Sequence, residues 1–180
     1  MRLLIAAIII STLSPLKQSG LWKGSKGTIA FTSDAPLELI EAESNQLTGV
    51  LKPSENTFAF LILTKTFKGF NSPLQQEHFH ENYMESEKYP KATFSGKFIE
   101  NVADLKEGTH ELRAKGMLVI HGVSVERIIK CTAEVSKKEV TITSNFNVPL
   151  EDHKISIPQV VYQKIAEEIY VKVKITLQPS

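Results

Sequence analysis

The chain has 180 residues, enough for one well-packed domain and too few for two. Its 21 Lys and Arg balance 20 Asp and Glu, so it lacks the basic excess that marks a nucleic-acid-binding protein. A content of 42% hydrophobic and 23% charged residues excludes disordered and collagen-like chains. The single cysteine, Cys131, excludes an internal disulfide, a thiolate zinc site and a CxxC redox pair.

Met1-Arg2 precedes the unbroken apolar run Leu3 to Ile10, and small residues follow. That layout predicts a secretory signal over residues 1–19, with cleavage between Ser14 and Gly20. The run is shorter than the roughly 20 apolar residues a bilayer-crossing helix needs. A buried first strand is the alternative. Export predicts a periplasmic or secreted protein whose mature domain spans 21–180.

From residue 28 onward the hydrophobic pattern has period two, with turn signals between the runs. Strands are predicted over 28–33, 39–51 and 57–67, the last containing Phe58, Phe60 and Ile62. The segment from Pro73 to Glu87 breaks the period. It predicts a short amphipathic helix, with Pro73 in the first turn and Phe79 and Tyr83 four residues apart on one face. Alternation resumes over 92–99, where Phe94, Gly96 and Phe98 share a side. It continues over 109–122 with Ala114, Gly116 and Leu118 on one side, and over 125–135 with Ile129, Cys131 and Ala133. A further strand carries Ile142, Ser144, Phe146 and Val148. Residues 157–165 predict a second short helix behind Pro158. The closing strand is the most regular: Ile169, Val171, Val173, Ile175 and Leu177 alternate with polar neighbours.

The fold class predicted is therefore all-β: an eight-stranded antiparallel barrel with one or two short helices. Long one-sided strands favour an antiparallel sheet with one wet face, and closure removes its two unpaired edges. An eight-stranded barrel either fills its interior with side chains or holds one small ligand, and alternation alone does not separate the two.

The remaining chemistry is sparse. His78 and His80, with Glu77 and Glu81 nearby, would share a face in a strand and could grip a divalent metal. In the predicted helix they lie about 200° apart and do not converge. His121-Gly122-Val123-Ser124 could suggest a hydrolase or isomerase built on the barrel. It lacks the G-x-S-x-G elbow, however, and falls at a predicted hairpin turn. His110 and His153 stand in no local catalytic signature, and no cofactor motif is present. Arg127 lies on the apolar side of its strand, where it could meet an acidic headgroup or form an ordinary ion pair.

Three strings carry a family resemblance. Gln76-Glu77-His78-Phe79-His80-Glu81-Asn82-Tyr83-Met84-Glu85-Ser86-Glu87-Lys88-Tyr89-Pro90-Lys91-Ala92-Thr93-Phe94-Ser95-Gly96 resembles the segment of the YceI-like exported bacterial proteins where a short helix ends at a Tyr-Pro-x-Ala-Thr-Phe strand. Gly116 to Val123 is similar to that family's hairpin with a (His/Asn)-Gly-Val turn, and Ile155 to Leu177 to its closing helix and strand. The resemblance implies a lipocalin-like barrel that holds a long isoprenoid or fatty chain, is exported, and has no catalytic residues. It turns the inward side chains into the wall of a ligand tunnel: Phe58, Phe60, Ile62, Phe94, Phe98, Leu118, Ile129, Phe146, Val173 and Ile175. Phe79, Tyr83 and Met84 would stand at its mouth. Burying about 20 methylene equivalents at roughly 0.8 kcal/mol each gives on the order of 16 kcal/mol. That exceeds most estimates, roughly 4–15 kcal/mol, of the freedom lost on association.

Overall fold

The alternation closes into a complete wall. The computed structural model describes residues 20–180; the predicted signal segment, residues 1–19, lies outside the described residues. Eight strands run in order: β1 Trp22–Ala35, β2 Glu38–Lys52, β3 Thr57–Leu63, β4 Lys91–Phe98, β5 Gly108–Ile120, β6 Val123–Val135, β7 Val140–Pro149 and β8 Glu168–Pro179. Each pairs antiparallel with the next, and β8 returns to β1, so the sheet is a closed eight-stranded barrel. The inward set of β5 and β6 shows the pattern at work: Leu112, Ala114, Leu118, Ile129, Cys131 and Ala133 are all buried. Register shifts between Gly24 and Ile29 bend β1 and help it curve round to β8.

The turns follow from their residues. His121 and Gly122 both have positive φ, 51° and 71°, between the paired Ile120 and Val123. This is the two-residue hairpin geometry that matches strand twist. Asn56, in the left-handed region at φ 60°, spends its side chain on the far end of β4: Nδ2 donates to the Phe98 carbonyl at 2.6 Å, and Oδ1 accepts from the Val102 N–H at 3.0 Å.

Three segments differ from the sequence expectation. The third strand stops at Leu63 rather than Phe67, because Thr64–Thr66 turns in a 3-10 helix and Thr66 Oγ1 donates back to the Leu63 carbonyl. The helix predicted over 73–87 is a short α-helix, α1 (Pro73–His78), capped by Ser72 Oγ accepting from the Gln75 N–H at 3.1 Å. It widens into a π-helical turn, Phe79–Tyr83, before Glu85 turns away at φ 42°. Residues 157–165 make one 3-10 turn, Gln159–Val161, and no longer helix. Val160 there is 88% exposed and Val161 and Ile165 are only half-buried against the cavity, so too little apolar surface is buried to support a longer helix. Hydrogen bonds at its end hold it instead: Gln163 O accepts from the Leu37 N–H, and the Ala166 N–H donates to Ser33 Oγ.

The two barrel ends are unlike. Trp22, Leu51, Phe98, Val102 and Leu177 are buried at the end where β1 begins and β8 finishes, and they seal it. The other end carries the β1–β2 and β5–β6 turns, α1 and the 150–167 connection.

Candidate ligand cavity

A cavity of about 490 Å³ occupies the barrel beneath the second end, within the size range of small-molecule pockets. Its wall is built from side chains that alternation turns inward. Phe60 and Ile62 come from β3, Phe94 and Phe98 from β4, Leu118 from β5 and Ile129 from β6. Phe146 on β7 and Val173 and Ile175 on β8 complete the predicted wall, and Phe79, Tyr83 and Met84 line the cavity from the lid. All but one of the residues expected at the tunnel wall and mouth therefore share one cavity.

Phe58 is the exception and does not line it. Its ring packs with Phe60, Phe94 and Phe98 at centroid separations of 5.6, 4.9 and 5.0 Å. In register it stands opposite Gly96, which stands opposite Gly116. The sequence suggests that these glycines free volume for a ligand. A Cβ at Gly96 would collide with the Lys115 carbonyl and one at Gly116 with the Ser95 carbonyl, so the pair instead lets β4 and β5 approach closely, while Phe58, buried to 4% exposure, forms part of the solid floor.

The lid is a phenylalanine cluster. The Phe79 ring lies 5.3 Å from Phe31, 5.8 Å from Phe67 and 5.0 Å from Phe70. Phe31 on β1 belongs to an alternating run, but Phe67 and Phe70 lie in the aperiodic stretch after β3. Periodicity gives no signal there, and an aromatic pair three residues apart is the one clue. Ile40 and Leu47 on β2 and Ile155 in the 150–167 connection also join the wall without having been singled out.

Polar groups gather at the mouth. Glu38, Gln75, His78 and Lys164 border the opening, and Gln75 Nε2 donates to Glu38 Oε1 at 2.8 Å. Deeper in, Ser144 spends its hydroxyl on the Lys130 carbonyl, which leaves the wall almost wholly apolar. Cys131 also faces the cavity, and burial pushes its thiol up to about 12, with Glu100 and Glu111 adding to the effect. Burial likewise raises the Tyr83 phenol.

The histidines serve the scaffold. His80 turns to Ser86 Oγ at 3.2 Å while His78 borders the mouth, so the pair does not converge; among the described residues no cluster of three or more metal-ligating groups occurs. Both nitrogens of His121 are engaged, Nε2 with Glu85 Oε2 at 2.6 Å and Nδ1 with the His153 carbonyl at 3.2 Å. A general base needs a free nitrogen beside its nucleophile, and Ser124 makes no bond to this ring. Arg127 forms the ordinary pair: Nη1 meets Asp152 at 3.4 Å and Nη2 donates to the Asn147 carbonyl.

A closed antiparallel barrel, sealed at one end and hollow and apolar beneath a lid at the other, defines a lipocalin-like barrel with a bore rather than a solid one. The chain belongs to the YceI-like domain family, whose match spans residues 19–177. Its fold is shared by a polyisoprenoid binding domain from Saccharophagus degradans, at TM-score 0.77 and 13% identity, covering 89% of this chain and 99% of that one. Burkholderia cenocepacia BcnA follows at TM-score 0.70 and 14% identity, with 84% and 96% covered. The Campylobacter jejuni YCEI protein matches at TM-score 0.60 and 15% identity, with 77% and 84% covered. No curated protein matches the sequence. Among the described residues no helix is long and apolar enough to cross a membrane.

Proposed function

We propose that this protein is an exported, non-catalytic carrier that holds a long hydrophobic chain, a polyisoprenoid or a fatty-acid-like lipid, in its barrel. The observation that carries the reading is the apolar cavity of about 490 Å³, floored by phenylalanines and roofed by the Phe79 cluster. Family membership supports a lipid ligand, as does the polyisoprenoid named for the Saccharophagus degradans domain. The charged n-region and apolar run of residues 1–19 support export.

Protein purified from a bacterial host should release a lipid on organic extraction, and native mass spectrometry should show the matching mass shift. Phe60→Glu and Leu118→Glu should abolish that shift while the fold persists by circular dichroism, because an unpaired carboxylate in a dry wall is strongly disfavoured. A protein that is empty when purified and takes up neither labelled isoprenoid nor labelled fatty acid overturns the reading. Cell fractionation tests export independently.

A further inference from the structure

Large apolar side chains left in water collect at the mouth. Among the described residues ten are exposed, and five of them, Leu37, Leu39, Leu74, Val160 and Tyr162, lie on the three segments that frame the opening. Those segments are tied to one another. The Leu37 N–H donates to Gln163 O at 2.9 Å, Asn71 Nδ2 donates to Leu39 O at 2.9 Å, and Gln75 bonds Glu38. The rim is thus one held surface, and it is continuous with the cavity, because Leu74, Val161 and Ile165 on the same segments line the interior. Exposed apolar patches of this kind mark interaction surfaces.

We propose that this rim docks the protein on the surface of a zwitterionic lipid bilayer, setting the cavity mouth against the acyl chains. The proposal rests on the carrier reading above. The charges choose the kind of surface: residues 36–41, 70–78 and 159–165 carry Glu38, Glu41 and Glu77 against Lys164 alone, so anionic headgroups gain nothing. Contact is made by apolar insertion, with Tyr162 suited to the headgroup level. A protein seated on the rim would stopper the mouth. A bilayer instead lets a hydrophobic chain pass from one apolar medium to another without crossing water.

Flotation of the mature chain with phosphatidylcholine vesicles tests this, beside the variant L37D/V160D, whose two positions are exposed and outside the cavity wall. The wild type should float with the vesicles, including in about 1 M salt, where exposed charges are screened. The variant should bind at least about tenfold more weakly, since each loses one inserted side chain. Binding of dansyl-labelled farnesol in water should stay within roughly twofold for both proteins, as expected of surface changes. A wild type that binds the farnesol probe but does not float overturns the rim, as does a variant that floats equally well. Flotation that requires phosphatidylglycerol and fails in salt also overturns it, and so does loss of probe binding in the variant. Absence of probe binding in the wild type overturns the carrier reading instead, and the flotation result still decides the rim.

Discussion

His121 Nε2 lies 2.6 Å from Glu85 Oε2, joining the tip of the β5–β6 hairpin to the last turn of the lid. The other ring nitrogen faces the His153 carbonyl at 3.2 Å, so the ring meets an acceptor on both sides. Nε2 donates to the Glu85 carboxylate, which makes this contact a charge-assisted hydrogen bond. Tyr89 packs edge-on against the ring at 4.7 Å, and Lys88 Nζ lies 3.7 Å from the other Glu85 oxygen, Oε1. Glu85 and His121 both occupy positive φ, so the bond ties two strained turns together, with Tyr89 packed beside it.

Glu85→Gln or His121→Ala should therefore loosen the lid before the barrel. Loss of a partly buried, charge-assisted bond costs about 1.5–3 kcal/mol. Amide exchange over residues 73–87 should rise, while the wall strands remain protected to near the global limit. Uniform acceleration across all eight strands would show that the pair supports the barrel and not the lid.

Acid should weaken the fold through two other histidines. His153 is fully buried; its Nδ1 donates to the Val123 carbonyl at 3.2 Å, and Nε2 has no partner among the described residues. Burial holds its protonation below the usual histidine range despite the Val123 bond and nearby Asp152. His80 is lowered in the same direction, by burial and then by Lys65. The sign follows: between the lowered folded values and the unfolded value near 6.5, the unfolded chain binds more protons. Stability should fall as pH drops through about 6.5 and level off below the folded values. Urea titrations from pH 7.5 to 5 should show this, and His153→Leu should flatten the slope. A midpoint that stays constant or rises on acidification contradicts it.

The strand residues were legible because period two is enforced by the wall itself: Leu118, Ile129 and Ile175 must face inward if their neighbours are to face water. Barrel closure was legible less directly, from strand number and the cost of unpaired edges. Phe58 shows the limit. Its pattern matches Phe60 and Ile62, and what sets it apart is its packing against Phe94 and Phe98 on another strand, a contact absent from any one segment. The lid cluster was legible only in part, since Phe79 falls on a helical face while Phe67 and Phe70 follow no period. The 157–165 segment misled through Pro158, a helix-start residue followed by an apolar side, Val161 and Ile165, that is only half-buried.

Gly49 should prove to be a determinant of cavity shape. A Cβ there would lie 2.5 Å from the Phe60 ring and 3.1 Å from Ile175, both wall residues. Gly49→Ala must push Phe60 aside, at a cost of about 1–3 kcal/mol for overpacking. Phe60 is paired with Gly49 across β2 and β3 and lines the bore, so a displaced ring changes the shape of the cavity. Lower stability should come with weaker probe uptake. Unchanged uptake in a destabilised variant would show that Phe60 yields elsewhere.

Cys131 gives the alkaline counterpart of the acid prediction and a probe of the cavity as well. The thiol is 6% exposed, and burial pushes it up to about 12, well above the roughly 8.5 of a free cysteine. Nucleophilic attack needs the thiolate, so iodoacetamide should label the native protein on the order of a thousandfold more slowly than the urea-unfolded chain at one pH. Linkage fixes the second consequence. Above about 8.5 the unfolded thiol loses its proton while the folded one keeps it, so stability should fall by up to about 1.4 kcal/mol per pH unit. With His153 and His80 acting below 6.5, the plateau of greatest stability should lie between roughly 6.5 and 8.5. Cys131→Ala should remove the alkaline limb and leave the acid limb intact. Rapid native alkylation, or an alkaline limb that survives in Cys131→Ala, would show that the thiol reaches solvent through an open mouth or that another group titrates there.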